Sequence, residues 1–225
     1  MVWRGKRVAV VIVAGGSGSR MGADVPKQFL RVGGEHILCR TFRAFEPYAD
    51  QIVVVLPKGE IARWREIAEE QKIAPHTLCE GGATRFLSVK NGLEAVGECD
   101  LVAVQDGVRP MLSGAMIERG LECAAEHGTA IPVVEAVDSF RMEGEEGLKA
   151  IDRSRLKAVQ TPQIFSSKLL REAYRQAFSP LFTDDATVVE LYGQPLAYYQ
   201  GERRNIKITT PEDLLIAEAL VGDNK

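Results

Sequence analysis

The chain has 225 residues, 45% of them hydrophobic and 26% charged, enough to bury one sizeable core. Its 28 basic and 31 acidic side chains leave a net charge of −3, which excludes a nucleic-acid coat and an anionic-membrane binder and confines any anion binding to a local site. Cys39, Cys79, Cys99 and Cys123 form no CxxC pair, and with only His36, His76 and His127 to join them they read as free thiols rather than a metal centre.

The first apolar run, Val8 to Gly15, is far too short to span a membrane and has no credible cleavage site after it. It reads as the first core strand, Val8 to Ala14, of a cytoplasmic protein. Ile52 to Leu56 is a second continuous β-branched run, as expected of a parallel strand covered on both faces. Between them Ile37, Arg40, Thr41, Ala44 and Phe45 fall at helical spacing. Further helices are expected over Glu60 to Glu70, Thr84 to Val96 and Ser113 to His127, and strands at Leu101 to Gln105 and Thr129 to Val134. This alternation predicts an α/β fold with a doubly wound, mostly parallel, Rossmann-like sheet.

The rhythm breaks between Glu135 and Ala158, where charged and apolar residues alternate around EGEEG. The pattern reads as a β-hairpin that projects from the sheet as an arm, or else as a solvated loop. Helices follow near Ser166 to Phe178, Asp184 to Tyr192 and Pro211 to Leu220, the last with Thr210 placed to cap it. Before it, NIKIT reads as a short strand with Asn205 and Lys207 on one face and Ile206 and Ile208 on the other. Residues 1–225 are expected to form a single domain, with 136–158 as its arm.

The loop after the first strand, AGGSGSRMG, offers bare backbone amides where open α/β sheets bind phosphates. It lacks the Gly-Lys-Ser/Thr of a P-loop, and Met21 stands where a dinucleotide fingerprint needs its third glycine. A tight structural turn satisfies the same glycines, and Arg20 or Lys27 taken alone reads as a surface cation.

Further blocks follow in order: PKQF at 26–29, GGxxRxxSVxxGL at 81–93, DGVRP at 106–110 and DR at 152–153. They continue with TPQ at 161–163, TDDA at 183–186 and NIKITxPEDL at 205–214. Over nearly its whole length the chain thereby resembles the 2-C-methyl-D-erythritol 4-phosphate cytidylyltransferases. The resemblance implies transfer of a cytidylyl group from CTP to a small polyol phosphate with release of pyrophosphate, supported by Mg²⁺, in a homodimer joined through the arm. Two anionic phosphates must meet, so positioned cations and a metal carry such chemistry and no nucleophilic side chain is needed.

The roles implied are these. Arg20, Lys27, Arg153 and Lys207 are catalytic cations, and Ala14, Gly15, Gly16, Gly18, Gly82, Arg85, Ser88 and Asp106 bind CTP. Asp106 is also the Mg²⁺ ligand, since that ion takes one or two carboxylates plus water and phosphate oxygens; a strand-ending Asp also serves simply to cap a turn. Asp106, Arg109, Asp138, Ser139, Arg153 and Lys207 hold the alcohol phosphate, with Asp138, Ser139 and Arg109 reaching a neighbouring subunit's site. The chain departs from the usual HDAARP with Gln105 and Val108, and has Ala83 after the second glycine of the 81–82 pair. A ribitol-5-phosphate cytidylyltransferase, which often carries valine before the Arg-Pro pair, is the alternative. A nucleotide-binding regulatory or redox module is a more distant one.

Overall fold

The chain winds outward in both directions from its first strand. The computed structural model describes residues 2–15, 25–145 and 147–222. Strand β1 (Val8–Val13) pairs in parallel with β4 (Gln51–Leu56) on one side and with β6 (Leu101–Asp106) on the other. Strand β5 (Thr77–Glu80) extends the sheet beyond β4, again in parallel. A sheet that leaves its first strand in opposite directions opens a crevice at the carboxyl ends of the two central strands. Register puts Val13 beside Asp106 at that edge.

The β-branched runs form these strands because both faces are covered. Val8, Val10 and Ile12 face Leu38 and Phe42 of α1 (Ile37–Phe45) and Met116, Ile117 and Leu121 of α4 (Gly114–His127). Trp64 of α2 (Ile61–Glu70) closes the same layer. Ala9 and Val11 face the opposite layer, with Phe86, Val89 and Leu93 of α3 (Arg85–Ala95), Leu170 of α5 (Ser167–Ala173) and Val188 of α6 (Asp185–Leu191). Thr84 and Ser113 start α3 and α4 by accepting the Leu87 and Met116 amides, as N-caps do. In α7 (Pro211–Gly222) Thr210 accepts the Asp213 amide and Asp213 in return accepts the Thr209 and Thr210 amides.

The other half of the sheet departs from the sequence reading. Strand β11 (Gln163–Ser166) lies antiparallel between β6 and β7 (Thr129–Glu135), so the sheet is mostly but not wholly parallel. Its short QIFS run carries too little periodicity to be recognised alone. The helix expected to reach Phe178 ends at Ala173. Of the segment 136–158, only β8 (Arg141–Gly144) and β9 (Gly147–Ala150) form the separate two-stranded arm. The chain then rejoins the main sheet as β10 (Lys157–Val159), antiparallel to β7, while β12 (Tyr198–Gln200) pairs with β7 in parallel. Two-residue β2 (Arg31–Val32) and β3 (Glu35–His36) make a small hairpin before α1. No helix among the described residues is long and apolar enough to cross a membrane.

Gly92 fixes how close α3 sits to the sheet. A Cβ there would lie 2.5 Å from Val11 Cγ1 and 2.9 Å from Val55 Cγ2, two fully buried side chains on central strands. Gly92→Ala gains about 1 kcal/mol of helix propensity, but the overlap costs about 1–3 kcal/mol and neither valine can retreat. The variant is expected to unfold at lower urea than the parent, and an unchanged or higher midpoint would show that the α3 contact is slack.

Candidate active site

A cleft of ≈270 Å³ opens at the carboxyl ends of β1 and β6. Ala14 and Gly15 form one wall, Lys27 and Gln28 stand over it, Gly82 to Arg85 and Ser88 form the facing wall, and Asp106, Val108 and Lys207 close the floor. Of the candidate residues, the fold thus brings together Ala14, Gly15, Lys27, Gly82, Arg85, Ser88, Asp106 and Lys207, from segments far apart in sequence. Gly16, Gly18 and Arg20 lie outside the described residues.

Asp106 is the electrostatic centre. Its Oδ2 pairs with Lys207 Nζ at 2.9 Å and Arg109 Nε at 3.4 Å, while Oδ1 faces Arg85 Nε at 3.7 Å. Its amide donates to Thr161 Oγ1 at 3.1 Å, which fixes the end of β6 against the segment leading into β11. Burial pushes this carboxyl up, but the charges of Arg85, Lys207 and Arg109 outweigh it and hold Asp106 down to about 2. The Arg109 guanidinium is shifted down, by burial first and against the pull of Asp106.

Arg109 was expected to travel with the arm into a neighbouring site. Within one chain it is buried, donating to Asp106 and, at 2.8 Å, to the Asn205 carbonyl. The NIKIT segment forms no strand, and its expected alternation fails, because Asn205 is fully buried and Lys207 is exposed. Asn205 turns inward because its side chain donates to the Thr161 carbonyl at 2.8 Å while its own carbonyl receives Arg109. Lys207 is thereby aimed at Asp106.

The wall formed by 81–88 has its own logic. Ser88 Oγ accepts the Gly82 amide at 3.1 Å and donates to the Thr84 carbonyl at 2.9 Å. Its hydroxyl thus holds the glycine turn against the start of α3 and leaves the backbone of that turn to line the cleft. Arg85, one turn earlier, is gripped by Asp185 through two bonds of 3.0 and 2.7 Å. Asp185 was missed in the sequence, although TDDA marked its neighbourhood; only the fold carries residue 185 to residue 85.

Asp138, Ser139 and Arg153 do not reach this cleft within one chain. They are exposed at the base of the arm, where Arg153 Nη1 donates to the Val137 carbonyl at 2.8 Å.

Among the described residues no cluster of three or more His, Cys, Asp or Glu side chains is present. Among the described residues the cleft offers Asp106 as its one carboxylate with an oxygen to spare, since none of them donates a hydrogen bond to Oδ1 while Asp185 receives Arg85 twice and Tyr174 once. One carboxylate oxygen beside a bound polyphosphate suits Mg²⁺, which takes most of its ligands from phosphate and water.

Residues 8–223 match the 2-C-methyl-D-erythritol 4-phosphate cytidylyltransferase family. A protein of that name from Bacteroides thetaiotaomicron is 48% identical over 216 residues, covering 95% of this chain and 99% of the relative. The crystal structure of the Thermus thermophilus 2-C-methyl-D-erythritol 4-phosphate cytidylyltransferase shares the fold with a TM-score of 0.78 at 36% identity, over 96% of this chain and 99% of that one. The 4-diphosphocytidyl-2C-methyl-D-erythritol synthase of Anaerococcus prevotii gives a TM-score of 0.82 at 27% identity, over 96% and 99% of the two chains. All three names specify methylerythritol and none ribitol, and an enzyme family replaces the regulatory or redox alternative. With the family pattern and the relatives spanning nearly its full length, the chain belongs to the 2-C-methyl-D-erythritol 4-phosphate cytidylyltransferase family.

Proposed function

We propose that the chain transfers the cytidylyl group of CTP to 2-C-methyl-D-erythritol 4-phosphate, releasing pyrophosphate. The observation that carries this reading is the convergence of Arg85, Arg109 and Lys207 on Asp106, in a cleft that Lys27 also lines, at the point where the sheet reverses direction. Arg85, Arg109 and Lys207 outnumber Asp106 and Asp185, which suits a triphosphate meeting a second phosphate.

The reaction joins an oxygen of the alcohol phosphate to the α-phosphorus of CTP as the bond to the β-phosphate oxygen breaks. Its barrier is the repulsion of two anions and the charge that grows on the pentacoordinate phosphorus and the leaving group. Lys27 and Lys207 line the cleft and supply ammonium groups for that charge, Lys207 held in place by Asp106, so its reorganisation in the reaction is small. Arg20, from the first loop, is assigned the same duty by family resemblance. The Gly15 and Gly82 backbones line the cleft and offer polar groups to the base. Mg²⁺, held through Asp106 Oδ1 and the phosphates, would screen the triphosphate and stabilise departing pyrophosphate.

The alcohol-phosphate site is completed by a second copy. Asp138, Ser139 and Arg153 lie on an arm whose Phe140, Met142 and Leu148 are 45%, 61% and 64% exposed, and two strands without a covered face are marginal in water. A two-fold dimer covers these side chains and delivers the polar residues reciprocally.

Lys27→Met and Lys207→Met are each expected to lower kcat by about 10²–10³-fold, as does loss of one transition-state donor, with a smaller effect on CTP affinity. Near-normal turnover in either variant would remove that lysine from the chemistry. Replacing residues 138–152 by a short Gly-Ser linker should give a monomer by sedimentation that binds CTP but not the alcohol phosphate in calorimetry. A linker variant that stays dimeric, or a monomer that turns over, would free the arm of both duties. Because Asp106 is depressed to about 2, its charge is constant above the ordinary carboxylate range and is lost only as pH falls toward that value. The acid limb of kcat/KM should therefore follow the substrate phosphate, near about pH 6, and a limb near pH 4 that vanishes in Asp106→Asn would contradict this.

A further inference from the structure

Two sequence blocks, TPQ at 161–163 and TDDA at 183–186, have no part in the chemistry derived so far, yet the fold bolts them together. Asp184 Oδ1 accepts the Thr187 amide at 2.8 Å and so caps α6, while Oδ2 accepts Gln163 Nε2 at 2.9 Å. Gln163 Oε1 in turn accepts the Ala186 amide at 2.8 Å. The first turn of α6 is thereby fixed to β11, two residues beyond the Thr161 hydroxyl that receives the Asp106 amide. Both acidic residues of the site hang from one rigid segment.

Asp185, between those anchors, has no solvent exposure. Its carboxylate receives Arg85 Nη1 on Oδ1 at 3.0 Å and Nη2 on Oδ2 at 2.7 Å, and the Tyr174 hydroxyl on Oδ1 at 2.5 Å. Burial and the Asp185 charge push the Tyr174 phenol well up, so it stays a donor. The Tyr174 ring stacks on Phe86, the residue after Arg85, with centroids 4.8 Å apart. The guanidinium is therefore held at its tip by a buried fork, whose Tyr174 donor is itself seated by stacking on Phe86.

A buried ion pair stabilises a fold weakly, since desolvation offsets its attraction, whereas a bidentate fork fixes orientation strongly. The orientation here has a consequence at Asp106. Arg85 Nε stops 3.7 Å from Asp106 Oδ1, beyond hydrogen-bond reach, while Oδ2 is taken by Lys207 and Arg109. An unrestrained guanidinium would close that gap and claim the remaining oxygen.

We propose that Asp185, backed by Tyr174, is a positioning residue that holds Arg85 in one orientation and short of Asp106, keeping Asp106 Oδ1 and the cleft face of Arg85 open to the nucleotide. The proposal rests on the cytidylyl-transfer reading for the ligand, but the clamp itself exists without one. It extends the binding machinery to two residues that never touch substrate.

The test uses the full-length protein and the variants Asp185→Asn, Tyr174→Phe, Arg85→Gln and the Asp185→Asn/Arg85→Gln double. Without nucleotide, ¹⁵N spectra should show resolved, slowly exchanging Arg85 Nη–H signals in the parent and lose them in Asp185→Asn. Calorimetry with CTP should show binding weakened at least about tenfold by Asp185→Asn and by Arg85→Gln, the scale of a lost charged hydrogen bond. The double should fall within about threefold of the worse single, since the two act as one unit. Tyr174→Phe should weaken CTP binding about threefold with Tm near the parent's, and it decides the matter if Asp185→Asn does not fold. Resolved Arg85 signals in folded Asp185→Asn, losses that multiply in the double, or unchanged CTP affinity in Tyr174→Phe would overturn the proposal. A parent protein that does not bind CTP overturns the functional reading alone, and the Arg85 signals then decide the clamp.

Discussion

A carboxylate at the end of a buried strand is costly unless it is paired, and Asp106 is paired three times over. Arg85 comes from the start of α3, Arg109 from the turn after β6, and Lys207 from an extended segment nearly a hundred residues later. Buried Arg109 has Asp106 as its anion, whereas Arg85 also pairs with Asp185 and Lys207 is exposed. The site is therefore a charge cluster in which Arg85, Arg109 and Lys207 outnumber Asp106 and Asp185. Asn205, Thr161 and Asp185 exist in this arrangement to keep the members of the cluster apart and aimed.

The sheet topology explains why the cluster forms where it does. Parallel β1 and β6 deliver their carboxyl ends side by side, and the chain leaves β1 toward β4 and β6 in opposite directions. The cleft opens between those ends. Gly92 lets α3 approach β1 and β4 closely enough that Arg85 and Ser88, at the helix start, reach the cleft. Antiparallel β11 then brings Thr161 and Gln163 to the back of Asp106 and of α6. A wholly parallel sheet would have placed those side chains at the opposite edge.

Specificity is divided along the same lines. The nucleotide wall is built from backbone, and Ser88 spends its hydroxyl on shaping the Gly82 turn rather than on facing a ligand. The arm is a separate two-stranded hairpin with large apolar side chains uncovered.

The strands β1, β4, β6 and β7 and helices α1 to α4 were legible in the sequence, because continuous β-branched runs and 3.6-residue spacing are local signals. So were the glycine turns and the ordered blocks of the cleft, since a phosphate site needs bare backbone and cations whatever surrounds it. Strand β11 was not legible: four residues carry no period, and only the edges of β6 and β7 give QIFS its strand form. Nor were the inward turn of Asn205, the burial of Arg109 or the grip of Asp185 on Arg85. Each is decided by what lies opposite in space, a carbonyl 44 residues away for Asn205 and a guanidinium 100 residues away for Asp185. Sequence by itself determined the elements and the chemical character of the site. Tertiary structure decided which charges meet, because hydrogen bonds and ion pairs act over a few ångströms and local pattern says nothing about who will be that near.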